Sequence, residues 1–275
     1  MDVQEILHFY IKNGLYNSKH KYHDKIKYLE WFYFHDLITI DVITDYCTHR
    51  SLEGVKNSTI NREINLMRAA FNYYLTYNHT ANFKNPFNRF RLFENDYVPR
   101  FLSSIECRRL LSSTLDFHNT MLYDFITLAL NTGCRSSELT TLTWNNVNLD
   151  DRYIVIRNAL SKNKKTVYKP INNVCVAAFL RLKNHKHYVF YNHTTGKNIR
   201  SFRRGFENAV KRADLGYVRI HDLRHTFASF LVKNGVPLYH VSTLLGHSDI
   251  RITQRYAHLA PEHLHDVLKR LPVLQ

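Results

Sequence analysis

Several side chains capable of phosphate chemistry fall within 36 residues of one another. The stretch Arg219-Ile-His-Asp-Leu-Arg-His-Thr-Phe-Ala-Ser229 carries His221 and Arg224, Leu244-Leu-Gly-His247 adds another imidazole, and Tyr256 follows. A guanidinium with two imidazoles can neutralise and proton-manage a phosphodiester, and a phenol hydroxyl nearby can attack it. His-x-x-Arg alone is a weak signal in a chain with 17 His and 38 Lys+Arg, so its weight depends on the rest of the chain.

Two further candidates precede this stretch. Asn131-Thr-Gly-Cys134 reads as a helix end with a left-handed glycine, and Arg135 follows it, with Ser136 and Ser137 as caps of the next helix and Glu138 at i+3. Arg135 is then either half of a surface ion pair or an anion ligand held in a fixed turn. Ser161-Lys-Asn-Lys-Lys165 reads as a hairpin tip, which is ordinarily solvated surface and is also a place from which one of its ammonium groups, on Lys162, Lys164 or Lys165, could donate a proton. His221 and His225 have the i, i+4 spacing of a zinc pair. The Glu of H-E-x-x-H is missing and no third ligand is evident, so no metal is expected.

These groups need elements to position them. The length of 275 residues suits a smaller and a larger domain, and 44% hydrophobic content is ample for both cores. Up to residue 88, apolar residues recur at helical spacing, as in Ile60, Ile64, Met67, Phe71 and Tyr74, which predicts a small helical bundle closed by Asn85-Pro-Phe. Thr39 and Ser58 read as helix starts, and residues 89–99 read as a linker. From residue 100 the elements lengthen: helices are expected over 104–111, 120–130 and 200–212. Strands are expected at Tyr153–Ile156, Thr166–Ile171 and Tyr188–Tyr191. The expected fold is mainly α with a small antiparallel β-sheet.

The formal charge of +15 points to a polyanionic partner. Residues 1–98 hold 12 Lys+Arg against 11 Asp+Glu, whereas residues 99–275 hold 26 against 12, so the second part carries the field. Arg203 and Arg204, on the outward side of an amphipathic helix, are expected to face phosphates. Arg62 and Arg68 are candidates for the same role in the first part. Cysteines 47, 107, 134 and 175 form no C-x-x-C pair and are read as reduced thiols. With no signal peptide or 18-residue apolar run in the sequence, a cytoplasmic location is expected.

Arg135 in Thr-Gly-Cys-Arg-Ser-Ser-Glu-Leu, Lys162, His221-x-x-Arg224, Leu-Gly-His247 and Tyr256 together resemble, in order and approximate spacing, the tyrosine recombinase (phage integrase) family. The resemblance covers the whole chain. It implies a helical core-binding domain at residues 1–88, without the further amino-terminal arm-binding module, and a catalytic domain at 100–275. It also implies a site-specific recombinase that cuts and rejoins double-stranded DNA through a 3′-phosphotyrosine on Tyr256, integrating or excising a mobile element without cofactor or metal. By the same resemblance, Arg135 and Arg224 clamp the phosphate, His221 moves the tyrosine proton, His247 hydrogen-bonds the phosphate, Lys162 protonates the leaving hydroxyl and Glu138 orients Arg135. A terminal helix is expected over Glu262–Leu271, its apolar stripe packing either on its own domain or, as the resemblance implies, on a neighbouring subunit. The resemblance also implies that a protein monomeric in solution becomes a homotetramer on paired sites. The rival readings are a type IB topoisomerase and a DNA-binding relic that has lost catalysis.

Overall fold

The computed structural model describes residues 2–14, 27–78, 84–94, 99–115, 120–157, 166–184 and 186–260. The chain divides into two compact units, Met1–Tyr97 and Val98–Gln275.

In the first unit, α1 (Val3–Phe9), a 3-10 turn at Glu30–Phe34, α2 (Ile40–Leu52) and α3 (Asn57–Tyr77) surround one core. Phe32, Tyr46, Phe71 and Phe87 are buried at its centre. Thr39 caps α2 as expected, its hydroxyl accepting from the Val42 N–H. The long helix starts one residue before Ser58, and it stops at Tyr77 well ahead of Asn85-Pro-Phe. The Asn85 side chain instead folds back, donating to the Arg68 carbonyl at 3.0 Å and accepting from the Phe87 N–H at 2.9 Å.

In the second unit, α4 (Ser104–Ser112), α5 (Thr120–Thr132) and α6 (Ser136–Thr140) lead into a three-stranded antiparallel sheet. Its order is β1 (Val147–Asn148), β2 (Tyr153–Arg157), β3 (Thr166–Pro170), with Val155 opposite Tyr168 in the register of β2 and β3. Then follow α7 (Asn173–Leu182), α8 (Arg203–Arg212), α9 (Ile220–Lys233), α10 (Leu238–Leu245) and 3-10 turns at Ile250–Ile252 and Gln254–Leu259. Among the described residues the fold is thus mainly α with one small antiparallel sheet.

The core of this unit is gathered around α5, where Phe125 stacks on Phe202 at 4.4 Å between ring centroids. The strand expected at Tyr188–Tyr191 does not form. Single bridges, Thr143 to Tyr188 and Tyr191 to Asn198, hold that segment while Val189 and Phe190 drop into the core. Its apolar run therefore reports burial without strand pairing.

Candidate active site

Two helix starts are built alike, and each presents an arginine. Arg135 is the N-cap of α6, and the Glu138 carboxylate accepts from its backbone N–H at 2.8 Å and its side-chain NH1 at 2.7 Å. Glu138 is buried while the Arg135 side chain keeps 41% of its exposure, so the acid anchors a guanidinium that still reaches outward. The caps expected at Ser136 and Ser137 are replaced by this arrangement. At α9, Asp222 likewise accepts from the Arg219 backbone N–H at 2.8 Å and its NH2 at 2.7 Å.

Arg224 lies on the buried side of α9, only 3% exposed. NH1 donates to the Gly133 carbonyl and NH2 to the Leu245 carbonyl, both at 2.8 Å. These bonds tie α9 to the ends of α5 and α10 and use two of the five guanidinium donors. Burial, then the nearby Arg135, push its pKa down to about 10, against the opposing pull of Glu138. Two guanidinium groups close enough to oppose each other's charge make a site that an anion would relieve.

His247 follows the left-handed Gly246 that ends α10. Its Nδ1 is 2.7 Å from the hydroxyl of the fully buried Thr253. Desolvation, followed by Arg224 and Arg135, depresses its pKa to about 3, so the ring is neutral at neutral pH. A Thr253 hydroxyl that donates to Nδ1 leaves the proton on Nε2, the tautomer suited to donating to a phosphate oxygen.

Tyr256, in the last 3-10 turn, is 3% exposed and packs with Ala228, Val232, Val241 and Leu245. Its hydroxyl is within electrostatic reach of Arg224 and lies 2.5 Å from Nδ1 of His225. His221 is exposed one turn earlier on α9, edge-on to His225 with ring centroids 4.8 Å apart. Its pKa is lowered by desolvation and then by Arg224.

Arg135, Arg224, His247 and Tyr256 are therefore brought together, with Glu138 behind Arg135 and His221 at the rim. Lys162, with Lys164 and Lys165, lies outside the described residues, as does the helix expected over Glu262–Leu271. Arg62, Arg203 and Arg204 are exposed, Arg203 pairing with Glu207 at 2.8 Å. Arg68 departs from its expected place as a phosphate contact. Its fork is spent inside the first unit, Nε donating to the Phe87 carbonyl at 2.9 Å and NH2 to the Phe90 carbonyl at 2.6 Å, so its geometry is that of a clasp.

Two residues of this region escaped the sequence reading. His225 was weighed there only as half of a zinc pair. Among the described residues no group of three or more His, Cys, Asp or Glu is placed to hold a metal. The signal was its helical spacing of i, i+3 and i+7 with Ala228 and Val232, which puts it on the apolar side of the helix. Lys169 is 2% exposed on β3, with Nζ 3.4 Å from the Thr132 carbonyl. Desolvation lowers its pKa, opposed by Cys134 and Glu138. The period-2 pattern Val167, Lys169, Ile171 already placed it on the inward side of the strand.

The sequence model of the phage integrase family matches residues 100–263. The chain belongs to this family. The integrase of Haemophilus phage HP1 (strain HP1c1) is 34% identical over 222 residues, covering 79% of this chain and 61% of the phage protein. This family member thus spans about three-fifths of that relative's length. Tyrosine recombinase XerC of Staphylococcus carnosus (strain TM300) is 27% identical over 96% of this chain and 95% of its own. Among solved structures, the Tn1549 transposon integrase in complex with transposon right-end DNA shares the fold, with a TM-score of 0.80 at 20% identity over 98% of this chain and 99% of that one.

Proposed function

We propose that this phage integrase family member is a site-specific DNA recombinase that cuts and rejoins strands through a 3′-phosphotyrosine on Tyr256, integrating or excising a mobile element. One observation carries the reading. A buried guanidinium, Arg224, and a half-exposed one, Arg135, lie in electrostatic reach of each other and of His247, beside a buried tyrosine hydroxyl. That is an anion site with a nucleophile at its edge.

In this reading the remaining donors of Arg224 and the outward fork of Arg135 hold the non-bridging oxygens of a phosphodiester. Both gain most as the phosphorane accumulates charge, which is where fixed donors lower a barrier. His247 adds a hydrogen bond from Nε2, Glu138 keeps Arg135 in place, and Lys162 protonates the departing 5′-hydroxyl. Tyr256 forms the new P–O bond as the P–O5′ bond breaks, so the energy of the phosphodiester is retained in the phosphotyrosine. The incoming 5′-hydroxyl of the partner strand reverses the step.

Residues 1–88 serve as the core-binding domain, with Arg62 against DNA, and residues 100–275 as the catalytic domain; of the expected 89–99 linker, Phe90 and Leu92 pack against the first core. Arg203 and Arg204 contact the backbone of the same duplex. The protein is a cytoplasmic monomer that assembles as a homotetramer on paired sites through the segment after Pro261, so truncation there reduces synapsis more than half-site binding. The described residues contain no helix long and apolar enough to cross a membrane.

The test uses nicked duplexes carrying the repeats that flank the chain's own gene. The expected result is a denaturant-resistant adduct that maps to Tyr256 and disappears in Tyr256→Phe, with site binding changed by no more than a few-fold. An adduct on another of the 18 tyrosines overturns the assignment. Supercoil relaxation without recombinant products would favour the topoisomerase reading, and binding with no adduct the relic.

A further inference from the structure

The residue-by-residue resemblance gives the tyrosine proton to His221, whereas the short contact in the folded chain is made by the next imidazole along the helix. We propose that His225 is the catalytic group that takes the phenolic proton of Tyr256 as its oxygen attacks phosphorus, and returns it when the cut strand is rejoined. The inference rests on the reading of Tyr256 as the nucleophile and names the base of that same site.

Geometry carries it. Nδ1 of His225 stands 2.5 Å from the Tyr256 hydroxyl, and the two residues are 5% and 3% exposed. Both are held by their own elements. His225 sits in the middle of α9, and Tyr256 is packed against Ala228 and Val232 of the same helix. A base must lie within hydrogen-bond reach of the proton it removes, and His225 meets that condition before DNA arrives. His221, exposed and edge-on to His225, stands on the solvent side of the pair, where it can pass a proton between His225 and water.

Burial and the charges around His225 keep its ring neutral in the DNA-free chain. Desolvation first, then His221, Arg255 and Arg219, push its pKa down to about 4, with Asp222 opposing them. At neutral pH the imidazole is therefore uncharged, and with hydrogen on Nε2 its Nδ1 lone pair accepts from the phenol. A phosphodiester bound by Arg135 and Arg224 brings negative charge into the same site, which favours the imidazolium and strengthens the base when it is needed.

The step balances. The Tyr256 O–H bond breaks and an N–H bond forms at Nδ1. The phenolic oxygen forms a bond to phosphorus while the P–O5′ bond breaks, and the leaving oxygen takes its proton from the general acid on the other side. Rejoining runs the same transfers backwards, with the His225 imidazolium protonating the released phenol.

Two measurements test this. Imidazole ¹⁵N NMR of the full chain at neutral pH reads the tautomer without needing a DNA site, and the expected state of His225 is a bare Nδ1 with hydrogen on Nε2. A protonated Nδ1 would make the ring a donor to Tyr256 and overturn the proposal. On the nicked duplexes, His225→Ala should slow adduct formation about 100-fold, the low end for general acid–base catalysis, with added imidazole restoring much of the rate. His225→Asn keeps a hydrogen-bond acceptor but cannot take the proton, and should stay slow; wild-type rates in this variant would reduce His225 to a positioning role and sink the base assignment. Failure of the underlying reading would look different, because the wild-type chain itself would then give no adduct at Tyr256.

Discussion

The guanidinium of Arg224 donates at 2.8 Å to the carbonyl of Gly133, 91 residues earlier in the chain. This bond makes the corner between α5 and α6 a wall of the candidate site, and it requires the corner to turn in the left-handed region, with φ of +60° at Gly133. A Cβ there would lie 2.8 Å from Cε1 of Phe227, still closer to Cδ1 of the same ring, and 3.0 Å from Cδ2 of Leu245.

Gly133→Ala should therefore combine backbone strain with overpacking and cost about 2–4 kcal/mol. Gly235→Ala is the control. It has φ of +77° with nothing near its Cβ, so only the strain of about 1 kcal/mol remains. Urea unfolding of both variants checks the difference. Equal losses would show that Phe227 and Leu245 move aside at no cost.

Glu138 supports Arg135 through two hydrogen bonds from a buried position, whereas Glu207 meets Arg203 on an exposed face. Glu138→Gln should lower the adduct rate about tenfold, with binding of the duplex little changed, because in the proposed mechanism it loosens a clamp that tightens as phosphorane charge develops. Glu207→Gln should leave that rate within twofold, as expected of a solvated ion pair. Similar effects from both would mean that Arg135 needs no fixed orientation.

Much of this arrangement could be read from residue types and spacing. Gly133 announced the turn before Arg135, the stripe Phe202, Phe206, Ala209 and Val210 announced α8, and Thr39 announced the start of α2. What escaped depends on tertiary packing. Helical periodicity places His221 and His225 on one face, and the height at which the Gln254–Leu259 turn meets α9 decides which of them touches Tyr256. Arg68 looked like a solvent-facing cation because the carbonyls of Phe87 and Phe90 that hold it are 19 and 22 residues away. The Tyr188–Tyr191 run has strand chemistry, but its neighbours offer single bridges where a ladder would be needed.

Acid should weaken the second unit through two desolvated imidazoles, one buried and one half-buried. His225 and His247 have folded pKa values of about 4 and about 3, below the ordinary value of 6.5. The unfolded chain then binds more protons than the folded one between those limits. Their neutral-ring stability is present in full above about pH 6.5 and is lost as pH falls towards 4 and below. For His225 the loss is on the order of 3 kcal/mol. His225→Asn should flatten the fall in unfolding free energy between pH 6.5 and 4. A variant as acid-sensitive as the wild type would place the titration elsewhere.

Lys169 is expected to sacrifice stability for the site. Its ammonium is buried on β3 with a 3.4 Å contact to the Thr132 carbonyl, and desolvation holds its pKa below the usual lysine range. The folded chain thus holds this proton less tightly than the unfolded chain does. Between the lowered pKa and about 10.4 the unfolded chain binds more protons, so stability rises with pH across that window and falls as pH drops through the folded value. Lys169→Met keeps the length of the side chain and removes the polar group, so it should raise the unfolding free energy at pH 7 by about 1 kcal/mol and abolish the rise at alkaline pH. Lys169 also lies in electrostatic reach of Arg135, Arg224 and His247. The same variant should accordingly lower the adduct rate several-fold. A gain in stability without that loss would leave the lysine as a buried cost unconnected to the phosphate site, and a loss of stability would show that its bond to Thr132 outweighs its desolvation.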